Sequence, residues 1–97
     1  MTKTLYAEFT VKPGSEERVA AMMRDLTERV RNEPGNQLFL PYTRESNPRE
    51  YFVFEVYRDD EAFREHITAD YGAVFNAELA EHIEEDGSVL TWLQPLA

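Results

Sequence analysis

The strongest constraint on this chain is the way its hydrophobic periodicity switches between the two-residue repeat of a strand and the longer repeat of a helix. From Thr4 to Lys12 the residues alternate, with Leu5, Ala7, Phe9 and Val11 on one face and Tyr6, Glu8 and Thr10 on the other. That is a strand. Pro13-Gly14 ends it, Ser15 stands where a helix N-cap is wanted, and Glu16 and Glu17 fill the first turn, where the helix dipole favours negative charge. Val19, Met22, Met23, Leu26 and Val30 then form an apolar stripe opposite Arg18, Arg24, Asp25, Glu28 and Arg29, so an amphipathic helix should run to the stop Asn32-Glu33-Pro34-Gly35.

A second extended run spans Gln37 to Glu45, and Pro41 within it cannot donate a ladder hydrogen bond, which suits a sheet edge or a bulge. Ser46-Asn47-Pro48-Arg49 reads as a hairpin connection into a third strand, Tyr51 to Tyr57. Asp59 or Asp60 should cap a helix carrying Ala62, Phe63, His66 and Ile67, and after a kink near Tyr71-Gly72 a further helical stretch uses Val74, Phe75, Leu79, Ala80 and Ile83. Asp86-Gly87 is a turn, and Val89 to Leu93 makes the last strand.

The order strand, helix, strand, strand, helix, strand predicts one α+β domain over residues 1–97, ferredoxin-like in topology, with helices covering one face of a four-stranded antiparallel sheet. Leu5, Phe9, Phe52, Phe54 and Val56 are expected beneath the helices. The other face should then show Tyr6, Tyr51, Val53 and Tyr57, a larger apolar patch than a monomer tolerates in water. A homodimer formed by stacking two sheets is the expected remedy.

Ninety-seven residues supply a single core, and such a chain buries only about 60–65% of its unfolded surface, which a partner subunit would supplement. The chain has no cysteine, so disulfides and thiolate chemistry are excluded and a cytoplasmic setting is expected. Nineteen acidic against ten basic residues give a net charge of −9, which disfavours nucleic acid and anionic membranes as partners. No signal-peptide pattern or bilayer-spanning apolar run is visible in the sequence, and no phosphate-cradling glycine loop, dinucleotide fingerprint or serine elbow supports a nucleotide or flavin cofactor.

Among residues able to carry chemistry, His66 lies within the apolar stripe of its helix, where a polar imidazole needs a partner. It is either a half-buried histidine bonded to a backbone carbonyl or to Asp70, or a group facing a ligand. Glu55, flanked by Phe54 and Val56, either reaches a pocket or pairs with Arg44 or Arg58 across a subunit contact. Tyr42, Tyr57, Tyr71, Phe75 and Trp92 are candidates to line a cavity for a flat ring. The pairs His66 with Asp70 and Glu78 with His82 share helix faces, but two ligands do not make a metal site.

The segments Glu33-Pro34-Gly35-Asn36, Tyr51-Phe52-Val53-Phe54-Glu55-Val56-Tyr57-Arg58-Asp59 and Glu61-Ala62-Phe63-Arg64-Glu65-His66 resemble the antibiotic biosynthesis monooxygenase family over nearly the whole chain. The resemblance implies a dimeric ferredoxin-like protein, of the dimeric α/β-barrel type, that oxidises a quinol or polycyclic phenol with molecular oxygen and no cofactor. His66 would be the base and Glu55 would orient it or a substrate hydroxyl. The family's frequent second histidine is absent from Thr68-Ala69-Asp70-Tyr71-Gly72, and Trp92 as the sole tryptophan disfavours the haem-degrading relatives. Two alternatives accompany this reading: a protein that binds a small aromatic metabolite without turnover, and an isomerase of a phosphorylated signalling sugar, for which Arg44, Arg49 and Arg58 would have to gather around the phosphate.

Overall fold

A computed structural model describes residues 1–97. In chain order it contains β1 (Lys3–Thr10), α1 (Glu16–Arg31), β2 (Asn36–Arg44), β3 (Asn47–Tyr57), α2 (Asp60–Ile67), α3 (Asp70–His82) and β4 (Val89–Leu93). The four strands form one sheet in the order β2-β3-β1-β4, and every pairing is antiparallel. This is the ferredoxin-like arrangement that the periodicities predict, and β2, which carries Pro41, is an edge strand. No helix is long and apolar enough to cross a membrane.

The local chemistry follows the sequence with three departures. Asp59 caps α2 as expected, accepting the Ala62 N–H at 2.8 Å. Ser15 precedes α1 without capping it, because its hydroxyl bonds His82 Nδ1 at 2.9 Å and ties the start of α1 to the end of α3. The hairpin turns at Glu45-Ser46 rather than at Ser46–Arg49, since Asn47 already pairs with Arg44 and its amide is held by Glu50. The expected kink after Ile67 is a full break: the Thr68 hydroxyl donates to the carbonyls of Arg64 and Glu65, closing α2, and α3 restarts at Asp70.

The phase of β3 corrects the sequence reading. Leu5 lies opposite Glu55, Ala7 opposite Val53 and Phe9 opposite Tyr51, so these residues share the face beneath the helices. Tyr51, Val53, Glu55 and Tyr57 are buried there, while Phe52, Phe54 and Val56, expected in the core, lie on the outer face beside Tyr6. Both faces of β3 are apolar enough to be inside, so alternation alone does not choose between them. The register chooses: Phe9 stacks on Tyr51 with ring centroids 4.8 Å apart, and Leu5 joins Tyr57 and Ala62 in a small cluster under α2. The main core joins Phe9, Val19, Met23, Val53, Leu79 and Ile83 between the sheet, α1 and α3.

Candidate active site

Three segments that are distant in sequence bring their polar groups together where α2 crosses β3. Glu33 follows the end of α1 in the turn that Asn36 closes by donating its N–H to the Glu33 carbonyl. Gly35 is buried in that turn because Ala62 of α2 packs on it: a methyl added at Gly35 would overlap the Ala62 Cβ and lie 3.3 Å from its Cα. This close approach sets α2 beside the turn, and its next inward residue, His66, meets the Glu33 carboxylate, with Nδ1 at 3.0 and 3.2 Å from the two oxygens. Tyr71, near the start of α3, donates its phenol hydrogen to the same carboxylate. A carboxylate can only accept from the ring, so Nδ1 carries the hydrogen and, in the neutral imidazole, Nε2 holds the lone pair.

That lone pair points toward Glu55. Nε2 lies 3.9 Å from Glu55 Oε1, too long for a direct hydrogen bond but short enough for one hydroxyl to contact both. Glu55 is 6% exposed, and Tyr57 donates its hydroxyl to Oε1 at 2.7 Å. Burial raises the Glu55 carboxyl above its ordinary range, against the opposing effects of the Tyr57 hydrogen bond and His66. Burial also pushes the Tyr57 phenol far up, reinforced by the Glu55 charge, so it remains a donor. Glu55 therefore binds a proton more tightly in the folded chain than in the unfolded one. Its ionisation costs stability as pH rises from the ordinary carboxylate range through the raised value. Replacing Glu55 with Gln is expected to remove that loss, so the stability of E55Q relative to the natural chain should be greater at pH 8 than at pH 4.5 in urea unfolding.

Glu55 and His66 line a cavity of about 390 Å³ between the sheet and the helices. Its walls are largely apolar, with Phe9, Phe39 and Val53 from the sheet and Leu26, Phe75 and Leu79 from the helices. Such a space suits a small ring system held by a few polar groups.

Of the residues singled out in the sequence, His66, Glu55 and Phe75 meet at this cavity. Tyr57 stands behind Glu55, and Tyr71 stands behind His66 through Glu33. Trp92 packs edge-on against Phe63, with centroids 4.9 Å apart, and is half exposed beyond the cavity. Tyr42 lies on the outer face of the sheet, opposite Phe52. The arginine partners foreseen for Glu55 are elsewhere: Arg44 pairs with Glu50 and Arg58 with Asp59. His66 bonds Glu33 rather than Asp70 or a carbonyl. Glu33 is the residue that sequence reasoning passed over, since beside Pro34-Gly35 it reads as part of a helix stop.

The model of the family "Antibiotic biosynthesis monooxygenase" matches residues 3–86, most of the chain. The chain belongs to the antibiotic biosynthesis monooxygenase family. Glu33, Glu55 and His66 all fall within the matched residues, and so do the cavity walls named above. The fold recurs in the crystal structure of an antibiotic biosynthesis monooxygenase, 18% identical with a TM-score of 0.91 over 100% of both chains. It recurs also in Rv0793 from Mycobacterium tuberculosis, 23% identical with a TM-score of 0.91 over 100% of this chain and 97% of that one. PA3566 from Pseudomonas aeruginosa is likewise 23% identical, with a TM-score of 0.90 over 99% of this chain and 95% of that one. At these identities the likeness between this antibiotic biosynthesis monooxygenase family member and the three structures is one of fold. No curated protein gives a significant match.

Proposed function

We propose that this chain is a cofactor-independent monooxygenase that oxidises a quinol or polycyclic phenol with molecular oxygen. The observation that carries this reading is the Glu33–His66 pair, whose free imidazole nitrogen faces Glu55 at the wall of an apolar cavity. A base beside a dry, ring-sized space is what this chemistry needs from a protein.

The His66 Nε2 takes the phenolic proton, while Glu33 fixes the tautomer and stabilises the imidazolium that forms. The phenolate passes one electron to oxygen, and the resulting radical pair joins as a carbon–oxygen bond. The peroxide anion recovers the proton from His66. Loss of the hydrogen on the same carbon to a base then forms the carbonyl, breaks the O–O bond and releases hydroxide, which leaves as water with that proton. One oxygen atom enters the product and the other becomes water; the substrate supplies all four electrons and both hydrogens, so no reductant is required. Oxygen-electrode and mass measurements on a panel of hydroquinones and anthrone-like phenols test this. The expected result is one oxygen consumed per product that is heavier by one oxygen and lighter by two hydrogens. Saturable binding without oxygen uptake would leave a carrier of aromatic metabolites.

The isomerase alternative finds no phosphate site here. Arg44, Arg49 and Arg58 are each beside a carboxylate, Glu50, Glu84 and Asp59, and none of them lines the cavity.

A second copy of the chain is the proposed occupant of the outer sheet face. No helix covers Tyr6, Leu40, Tyr42, Phe52, Phe54 and Val56 there, and one such patch on each copy is self-complementary about a two-fold axis. Sedimentation is expected to give a dimer at micromolar concentration, and F54E is expected to give a monomer; a monomer in the unsubstituted chain would overturn the assignment.

A further inference from the structure

The cavity is asymmetric in charge. Its lining contains the carboxylates of Glu55 and Asp86, and neither lysine nor arginine. A third carboxylate, Glu33, stands directly behind His66. An anionic substituent inside this space would meet like charge and no cation, in surroundings where burial weakens screening.

The two lining residues are anchored toward opposite ends of β1, Glu55 opposite Leu5 and Asp86 just after Glu84 and Glu85, which bond Thr10. Glu55 is opposite Leu5 in the register, whereas Val89 is opposite Glu8, so Ser88, with Gly87 and Asp86 before it, lies alongside Phe9 or beyond. Four residues along a strand separate Leu5 from Phe9 by roughly 13 Å, so the segment that carries Asp86 stands about the length of a linear three-ring system along the sheet from Glu55. Between them the walls are apolar. The near end is committed to the reacting hydroxyl: Tyr57 holds Glu55 and Glu33 holds His66 through Nδ1, which leaves Nε2 to meet the phenol. Asp86 is exposed and has no ion-pair partner, although the neighbouring Glu85 is held by the N–H and hydroxyl of Thr10, which fixes the segment beside the end of β1 where Asp86 lines the cavity.

We infer that the site selects its substrate by charge: it takes an elongated phenol that carries no anionic group and presents a hydrogen-bond donor, best a protonated amine, to Asp86 at the end remote from the reacting hydroxyl. This rests on the monooxygenase reading for the role of the near end, and Asp86 is the residue that determines specificity at the far end. An amine there is recognised by a charge-assisted bond at a half-open mouth, while a carboxylate or sulfonate is repelled.

Three matched fused-ring phenols test this, differing only in a neutral, an aminomethyl or a sulfonate group at the end remote from the hydroxyl, with binding measured by calorimetry at pH 7. The aminomethyl phenol is expected to bind about tenfold or more tightly than the sulfonate. D86N should bring the two within about threefold, and D86K should reverse their order. Because Asp86 is an exposed turn residue, both variants should fold, and thermal melting checks that they do. Equal affinities for the charged pair, or a preference that D86N and D86K leave in place, would overturn charge selection while leaving the cavity as a phenol site. Failure of all three phenols to bind would overturn the cavity reading itself, and charge selection with it.

Discussion

Replacing His66 with alanine is expected to lower oxygen uptake with a reactive hydroquinone by about 10²- to 10⁴-fold, the usual worth of a positioned general base. The loss should fall on kcat, because the apolar walls that hold the ring remain in place. Replacing Glu33 with Gln is the more discriminating variant. The amide oxygen can still accept from Nδ1, so the ring keeps its place, but the negative charge that stabilises the imidazolium is gone. A decrease in kcat of about 10- to 100-fold is expected, with KM little changed. If H66A consumes oxygen at the unsubstituted rate, the base assignment is wrong. If E33Q turns over at the unsubstituted rate, the charge of Glu33 plays no part and the residue merely supports the turn.

The second large effect is expected at Gly35. Its φ is not in the left-handed region, so the reason for glycine is the packing of Ala62 against it. An added methyl must push α2 away from the turn, and overpacking of this kind typically costs about 1–3 kcal/mol. A larger penalty is expected in function than in stability: moving α2 draws His66 away from Glu33 and changes its approach to Glu55, and misplacement by about 1 Å can cost on the order of 100-fold in rate. Urea unfolding and oxygen uptake on G35A measure the two separately. Unchanged stability would show that the α2 contact yields without strain. A stability loss with full activity would show that the Glu33–His66 geometry does not depend on it.

Those two residues show how the legibility of this chain divides. The elements are written locally: Pro13-Gly14, the apolar stripe of α1, the Asp59 cap and the alternation in β1 each act over a few residues, and the structure has them where the pattern puts them. The one misjudged face, that of β3, is where the local pattern is silent, because Tyr51, Val53 and Tyr57 compete on equal terms with Phe52, Phe54 and Val56 for the interior. Pairing with β1 decided it. His66 and Glu55 could be marked from sequence because a titratable group among apolar neighbours is conspicuous. Glu33 could not, since a glutamate beside Pro-Gly looks like any exposed helix end, and its partial burial comes from His66 of α2 and Tyr71 of α3 meeting its carboxylate.

What the sequence determined by itself is the inventory: one small acidic α+β domain without cysteine, its strand and helix order, and a histidine and a glutamate set among apolar residues. What only the tertiary structure decided is which groups meet. Glu33, Glu55, His66 and Tyr71 come from a turn, a strand and two helices, and Asp86 from a loop at the other end of the cavity. Local propensities act over a few residues, whereas a site joins residues whose separation along the chain says nothing about their distance in space; only register and helix packing fix that.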